Sequence, residues 1–297
     1  MRRFGIVAEA DWASCVPVEK GWSSDRKYRI ETRTGQRLLL RLSDIDRYEA
    51  KRREFAFIER VARLGIPMSM PLEFGVCDGG REAYMLLTWV DGEDLEDVLP
   101  GLSGAEQYRL GRMAGSILRR IHAIPVEESD LPARSKKAKK LEQLARYEAS
   151  DLRVDGDAAA IAFVRDHIDQ IWRVPPVYLH GDFHPGNLIY RADGAIGVID
   201  FNRWEVGDPW EEFYKLESFA RELSVPYCAG QIDAYFDDAV PEDFWTALAV
   251  YVAQASLFSI KWAEPFGPKD IAAMTRRCMT AMKDYDGFKR TVPGWYE

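Results

Sequence analysis

Three side chains in ordered spacing carry the chemistry of this sequence. An apolar run ends in His180-Gly181-Asp182, Asn187 follows five residues after the aspartate, and a second apolar run ends in Asp200. Two carboxylates and one carboxamide are thereby delivered from the ends of short strands. Such a set suits phosphoryl transfer, which asks little covalent help of a protein and much positioning of charge. A carboxylate at Asp182 can orient a hydroxyl nucleophile and take its proton late. Asn187 and Asp200 offer hard oxygen atoms to magnesium, which usually keeps several waters and binds through one or two carboxylates plus substrate phosphates. The trio is half of a site whose other half a nucleotide would bring.

The elements that must position these residues are short. Residues 177–179 read as a strand, 188–190 as its pair, 191–194 as a turn and 196–199 as the next strand. Upstream, 16–42 reads as a small sheet, with β-rich runs at 28–32 and 36–42 around Arg33-Thr34-Gly35. A helix is expected over 45–64, where Phe55, Ile58, Val61 and Ala62 recur at helical spacing and Gly65 follows. Two strands, 72–76 and 83–89, flank Asp78-Gly79-Gly80, and the chain turns at Asp91-Gly92.

Beyond residue 100 the pattern turns helical. Ser103-Gly104-Ala105-Glu106 is a capping box opening a helix with Leu110, Met113, Ala114, Ile117, Leu118 and Ile121 on one stripe, closed by Pro125. His122 near its end reads as structural. The basic run through Arg134, Lys136, Lys137, Lys139 and Lys140 reads as a solvated helix face. Further helices are expected at 157–172, from 204–213 onward, at 241–262 and at 269–286. Asp208 and its acidic neighbours sit where they would cap a positive helix end. The apolar residues 291–296 should dock rather than hang free.

A chain of 297 residues with 47% apolar content can build one large or two modest cores. Its net charge of −8 gives a nucleic-acid partner little electrostatic support and suits cationic ligands instead. Cys15, Cys77, Cys228 and Cys278 form no CxxC pair, so neither a zinc site nor a disulfide framework is indicated, and reduced thiols in a cytoplasmic protein are expected. No apolar run approaches the roughly 18 residues of a membrane span, and no targeting segment is read.

HGDFHPGN followed by VIDF closely resembles the catalytic core of the aminoglycoside phosphotransferase and choline kinase family, relatives of the protein kinases. The resemblance implies an α+β, bilobal protein-kinase-like fold. Its small, mainly β N-lobe with one key helix would span 1–90 with the hinge, and its larger helical C-lobe 91–297. It implies that Asp182 is the catalytic base, that His180 props the loop, and that Asn187 and Asp200 hold Mg2+. Lys20-Gly21-Trp22-Ser23-Ser24 lies where the family's loop covers the phosphates, which makes Ser23 and Ser24 nucleotide contacts. Arg41 stands at the phosphate-binding strand position, where many members carry lysine and choline kinases arginine, and Glu54 is its expected ion-pair partner. The run Met-Leu-Leu-Thr-Trp-Val-Asp-Gly at 85–92 matches the hinge, so Thr88 and Val90 would meet the base through main-chain atoms. Glu205 and Glu212 are the candidate contacts to a cationic acceptor.

Two departures point to the small-molecule branch: Asn202 follows Phe201 where protein kinases carry glycine, and His184 follows Asp182 by two where they usually carry lysine. The expected activity is transfer of the γ-phosphoryl group of ATP or GTP to a hydroxyl of a small cationic acceptor, by a monomer or dimer, with antibiotic resistance as one role. A metabolite kinase for a choline-, homoserine- or sugar-like alcohol is the alternative, and a nucleotide-binding protein without activity is another. His180, Asp182 and His184 also read as HxDxH, the start of a metallohydrolase ligand set, but His122 and His167 lie far away in sequence.

Overall fold

The alternation of apolar and polar residues in 26–44 decides the first unit. The computed structural model describes residues 4–19 and 24–296, and its chain divides into two compact units. Unit 1 comprises Met1–Glu93 with Asn187–Trp204, and unit 2 comprises Asp94–Gly186 with Glu205–Glu297.

Unit 1 holds strands β1 (Trp12–Val18), β2 (Arg26–Thr32), β3 (Arg37–Asp44), β4 (Pro71–Cys77) and β5 (Glu82–Thr88) in the order β1-β2-β3-β5-β4, every pair antiparallel. Tyr28, Ile30, Leu38, Leu40 and Leu42 turn to one face and pack with Phe4 and Ile6. The intervening residues, Lys27 and Arg41 among them, turn to the other, because successive side chains of a strand alternate. Helix α1 (Tyr48–Ala62) buries Phe57, Ile58 and Val61, and Phe55 meets Phe74 of β4 at 5.6 Å. The helix begins after a single 3-10 turn (Ile45–Arg47) and ends before Gly65, whose φ of 65° is one that β-carbon-bearing residues avoid.

A two-residue strand, β6 (Glu93–Asp94), lies where the chain passes from one unit to the other. The later segment of unit 1 is a hairpin of β8 (Leu188–Tyr190) and β9 (Ile196–Val198), closed by the Gly194 N–H on the Arg191 carbonyl at 2.9 Å. It is stitched to the chain beyond α1 by Val198 N–H to the Pro67 carbonyl and Ser69 N–H to the Val198 carbonyl, at 2.9 and 3.2 Å. The expected pairing of 177–179 with 188–190 is corrected. Strand β7 (Val177–Leu179) pairs instead with β10 (Glu205–Gly207) in unit 2. Three-residue strands carry too little pattern to choose a partner.

Unit 2 is helical: α2 (Leu95–Val98), α3 (Gly104–His122), α4 (Lys137–Glu148), α5 (Asp157–His167), α6 (Val225–Tyr235), α7 (Glu242–Trp262) and α8 (Pro268–Asp284). Ser103 caps α3 by accepting from the Glu106 N–H at 3.3 Å. Gly111 and Gly115, one turn apart on α3, and Gly230 on α6 bring these two backbones together, since a β-carbon at any of them would strike the facing main chain. Helix α7 is apolar nearly all round, as a core helix must be. It reaches the length and apolarity of a membrane span, which the sequence reading did not anticipate, but 72% of that window is buried inside the fold. Each large side chain buried there, such as Phe244, is worth about 1.5–3 kcal/mol relative to exposure.

The long helix expected from 204 onward is replaced by three pieces. Asp208 caps a 3-10 turn (Pro209–Phe213) through the Trp210 N–H at 3.0 Å, a π turn follows at Leu216–Ala220, and α6 begins only after the Ser224 cap. The chain after 290 docks on unit 2, with Trp295 Nε1 donating to Glu217 at 2.9 Å and the Tyr296 hydroxyl to Asp233 at 2.5 Å.

Candidate active site

In unit 2, β7 ends at Leu179 and the next two peptides are clamped. The N–H groups of His180 and Gly181 donate to the two carboxylate oxygens of Glu212 at 2.6 and 2.9 Å. Gly181 has φ 80°, the left-handed turn that lets consecutive N–H groups converge on one acceptor. Glu212 is only 3% exposed. Burial pushes its pKa up, but His122 and His180 overcome this and hold it below the usual range. Both its oxygens thus serve the backbone of the loop rather than a ligand. His122, with Nδ1 2.8 Å from the Tyr235 hydroxyl and Nε2 3.6 Å from Glu212, is structural.

The clamp fixes Asp182. Its N–H donates to Nδ1 of the fully buried His180 at 3.3 Å. Its carboxylate receives Lys215 Nζ at 2.6 Å and lies 3.7 Å from His184 Nε2. Burial pushes the Asp182 pKa up, yet His184 and Lys215 together hold it far below the carboxylate range. A group so held is ionised at neutral pH. Lys215 is itself buried, 5.0 Å from the Tyr214 ring and 5.2 Å from the Phe219 ring. Burial lowers its pKa, but Tyr214 and Asp182 outweigh that and keep it cationic. The His184 ring stacks on Phe219 at 4.7 Å. Lys215 was missed by the sequence reading, and nothing local marks a residue 33 positions beyond its partner.

Glu205 pairs with Lys136, and Glu211 with Lys140 at 2.6 Å. Lys137 meets Asp169 at 3.1 Å, so three lysines of the run expected to be a solvated face are paired with acids, Lys140 as a buried cation. Asp208 is fully buried and accepts from Trp172 N–H, Trp210 N–H and the Tyr251 hydroxyl at 2.6, 3.0 and 2.7 Å.

Unit 1 carries Asn187, Asp200 and the expected nucleotide contacts. The Asn187 carbonyl accepts from Ile199 N–H at 3.1 Å, fixing the base of the hairpin. Asp200 follows β9 with φ 62°. Its Oδ2 lies 3.3 Å from Lys27 Nζ, and its Oδ1 is buried without a hydrogen-bond partner. An orphaned buried carboxylate oxygen fits a cation ligand, because leaving it bare is costly. Phe201 behind it meets Phe57 of α1 edge-on at 6.0 Å, and Trp204 stacks on Phe57 at 4.9 Å. Among the described residues, no three His, Cys, Asp or Glu side chains are gathered as a metal cage, so HxDxH does not form a ligand set.

Arg41 meets Glu54 at 2.6 Å, and the structure adds two partners the sequence reading did not name. Arg41 Nη2 donates to Asp25 at 2.6 Å, and Lys51 Nζ donates to Asp25 at 2.6 Å and to Glu54 at 2.8 Å. The Lys51–Glu54 spacing of three on one helix was a usable signal. Asp25 stays ionised: burial raises its pKa, but Arg41 and Lys51 bring it down to about 2. Ser24 accepts from Arg47 Nη1 at 2.7 Å, while Ser23 and the rest of 20–23 lie outside the described residues. Thr88 spends its N–H on the Met70 carbonyl at 2.9 Å, and Val90 is buried beside Gly197.

The sequence model of the phosphotransferase enzyme family, APH, matches residues 14–249, and the chain belongs to that family. An aminoglycoside 3'-phosphotransferase of Escherichia coli is 26% identical over 172 residues, 54% of this chain and 61% of the relative, so the match spans under two thirds of the relative's length. Among solved structures, the GDP complex of aminoglycoside 2'-phosphotransferase-IIIa superposes with a TM-score of 0.70 at 15% identity, over 93% of this chain and 95% of that one. A thermostable mutant of the aminoglycoside phosphotransferase APH(4)-Ia with ADP and hygromycin B gives 0.65 at 16% identity, over 92% and 94%. The amicoumacin kinase hAmiN with AMP-PNP and Ca2+ gives 0.63 at 13% identity, over 93% and 90%. The fold is the kinase-like one of these enzymes, with an antiparallel sheet in the N-terminal part and a larger helical remainder.

Proposed function

We propose that this chain is a small-molecule kinase that moves the γ-phosphoryl group of ATP or GTP to a hydroxyl of a small cationic acceptor, as an aminoglycoside phosphotransferase does. The observation that carries the reading is Asp182, held ionised by Lys215 and His184 on a loop whose backbone Glu212 clamps. In the proposed reaction the acceptor hydroxyl hydrogen-bonds to the Asp182 carboxylate. Its oxygen attacks the γ-phosphorus as the bond to the β-bridging oxygen breaks, and the proton passes late to Asp182, leaving the nucleoside diphosphate. Lys215 keeps the carboxylate charged and aimed until then. Asn187 and Asp200 would hold Mg2+, which when bound neutralises charge on the phosphate oxygens. Val90 is the better-supported contact to the base, since the Thr88 N–H is already spent.

Antibiotic resistance is the role this reading suggests, in the cytoplasm, where the buried thiols of Cys77, Cys228 and Cys278 would stay reduced. A second reading is a kinase for a metabolite alcohol. It is favoured by the pairing of Glu205 with Lys136 and Glu211 with Lys140, which offsets the acidity a polycation would seek. The test is NTP-dependent transfer with magnesium, comparing ATP with GTP across amino-sugar, macrolide and peptide antibiotics plus choline and homoserine, with Asp182→Asn as control. Transfer that depends on Asp182 supports the kinase and supplies the acceptor. Transfer that survives Asp182→Asn removes Asp182 as the base, and absence of nucleotide binding removes the reading.

A further inference from the structure

Lys27 and Arg41 oppose one another across β2 and β3, so they share the sheet face turned away from the Phe4 and Ile6 cluster. The two cations are held very differently. Arg41 is 3% exposed and has a terminal nitrogen on each of two carboxylates, Glu54 and Asp25, at 2.6 Å. The same carboxylates take Lys51, and Asp25 also accepts from Ser43 Oγ at 2.9 Å and Arg47 Nη1 at 3.1 Å. Arg41, Lys51, Asp25 and Glu54 form a buried quartet of two positive and two negative groups, to which the exposed Arg47 adds a further cation on Asp25, and only the Arg41 Nε is buried without a hydrogen-bond partner among the donors of that guanidinium. For Arg41 to fork onto two phosphate oxygens, it would have to leave charge-assisted hydrogen bonds and strand buried carboxylates.

Lys27 is under no such constraint. Its side chain is 13% exposed, and its ammonium lies 3.3 Å from Asp200 Oδ2, a longer contact than any inside the quartet. That contact places a cation beside the carboxylate assigned to the phosphate-bound metal. Asp200 cannot satisfy Lys27 and a divalent cation equally, whereas a phosphate oxygen can take the ammonium that Asp200 releases.

We propose that Lys27, rather than Arg41, is the side chain that binds the phosphates of the nucleotide, and that the quartet is a structural brace joining α1 to the sheet. The proposal rests on the kinase reading and assigns within it a phosphate contact to β2. Lys27→Met and Lys27→Arg would be compared with the wild-type chain by calorimetric titration with ATP, ADP and adenosine, with magnesium and with EDTA, alongside thermal melts without ligand. The expected result is that Lys27→Met weakens ATP and ADP by about tenfold, as loss of one charge-assisted hydrogen bond should. Adenosine affinity and the melting temperature should hold, Lys27→Arg should restore most of the loss, and the deficit for ADP should persist in EDTA. Unchanged ATP and ADP affinity in Lys27→Met, or an equal loss for adenosine, overturns the proposal while leaving the kinase reading in place. A wild-type chain that binds neither adenosine nor ATP removes the kinase reading and the proposal with it.

Discussion

Asp25 in unit 1 and Asp182 in unit 2 are both aspartates joined to a buried lysine at 2.6 Å, yet their surroundings differ. The Asp25 side chain is 0% exposed and is held by three cations, Arg41, Lys51 and Arg47. The Asp182 side chain is 18% exposed, with Lys215 behind it. Burying ions without full compensation is expensive, so a carboxylate meant only to hold structure is sealed and saturated. Asp182, proposed to meet the acceptor hydroxyl, keeps part of its side chain toward solvent and is restrained by Lys215. Lowered pKa values alone would not separate the two, because both stay ionised.

Substitutions should separate them. Asp182→Asn keeps the shape of the side chain and removes the proton acceptor, so turnover should fall by about 10²–10⁴-fold with little change in melting temperature. Unfolding of that variant would place Asp182 with Asp25. Glu54→Gln breaks the quartet from within and leaves a buried cation uncompensated, at a cost of about 3–5 kcal/mol in urea unfolding. A loss of under about 1 kcal/mol would mean the quartet is not the brace described here. Lys215→Met should leave the fold largely intact and lower kcat by about tenfold or more through misorientation of Asp182, with KM for nucleotide little changed. An effect on KM alone would reassign Lys215 to binding.

The smallest effect is a slope with pH. Asp25 has a folded pKa of about 2 against roughly 3.9 when unfolded. A group depressed in this way stabilises the fold above about pH 4, and the contribution is lost as pH falls toward 2. Urea titrations between pH 5 and 2.5 should show that loss in the wild type and less of it in Asp25→Asn.

The motif spacing, the β2–β3 hairpin and the capped start of α3 were legible in the sequence because each depends on short-range pattern, whereas the pairing of Arg41 with Glu54 was expected from the family resemblance. Asp25 and Lys215 as partners were not. Their contacts join segments whose meeting is decided by the packing of the whole unit, and a charged residue in a helix usually signals only solvent. The pairing of β7 with β10 escaped for a related reason, since three-residue strands have no register to read. Lys136 and Lys140 looked like a solvated run because composition does not reveal that Glu205 and Glu211 come to meet them.

Asp200 occupies the left-handed region at φ 62°, where glycine would rest more comfortably and where aspartate is tolerated better than most residues. Local preference and assigned role conflict there, and in the language of energy landscapes the position is frustrated. Asp200→Gly should relax the backbone and remove the carboxylate in one step, yielding a chain at least as stable as the wild type and inactive. A stability screen would select that chain, and an activity screen would discard it.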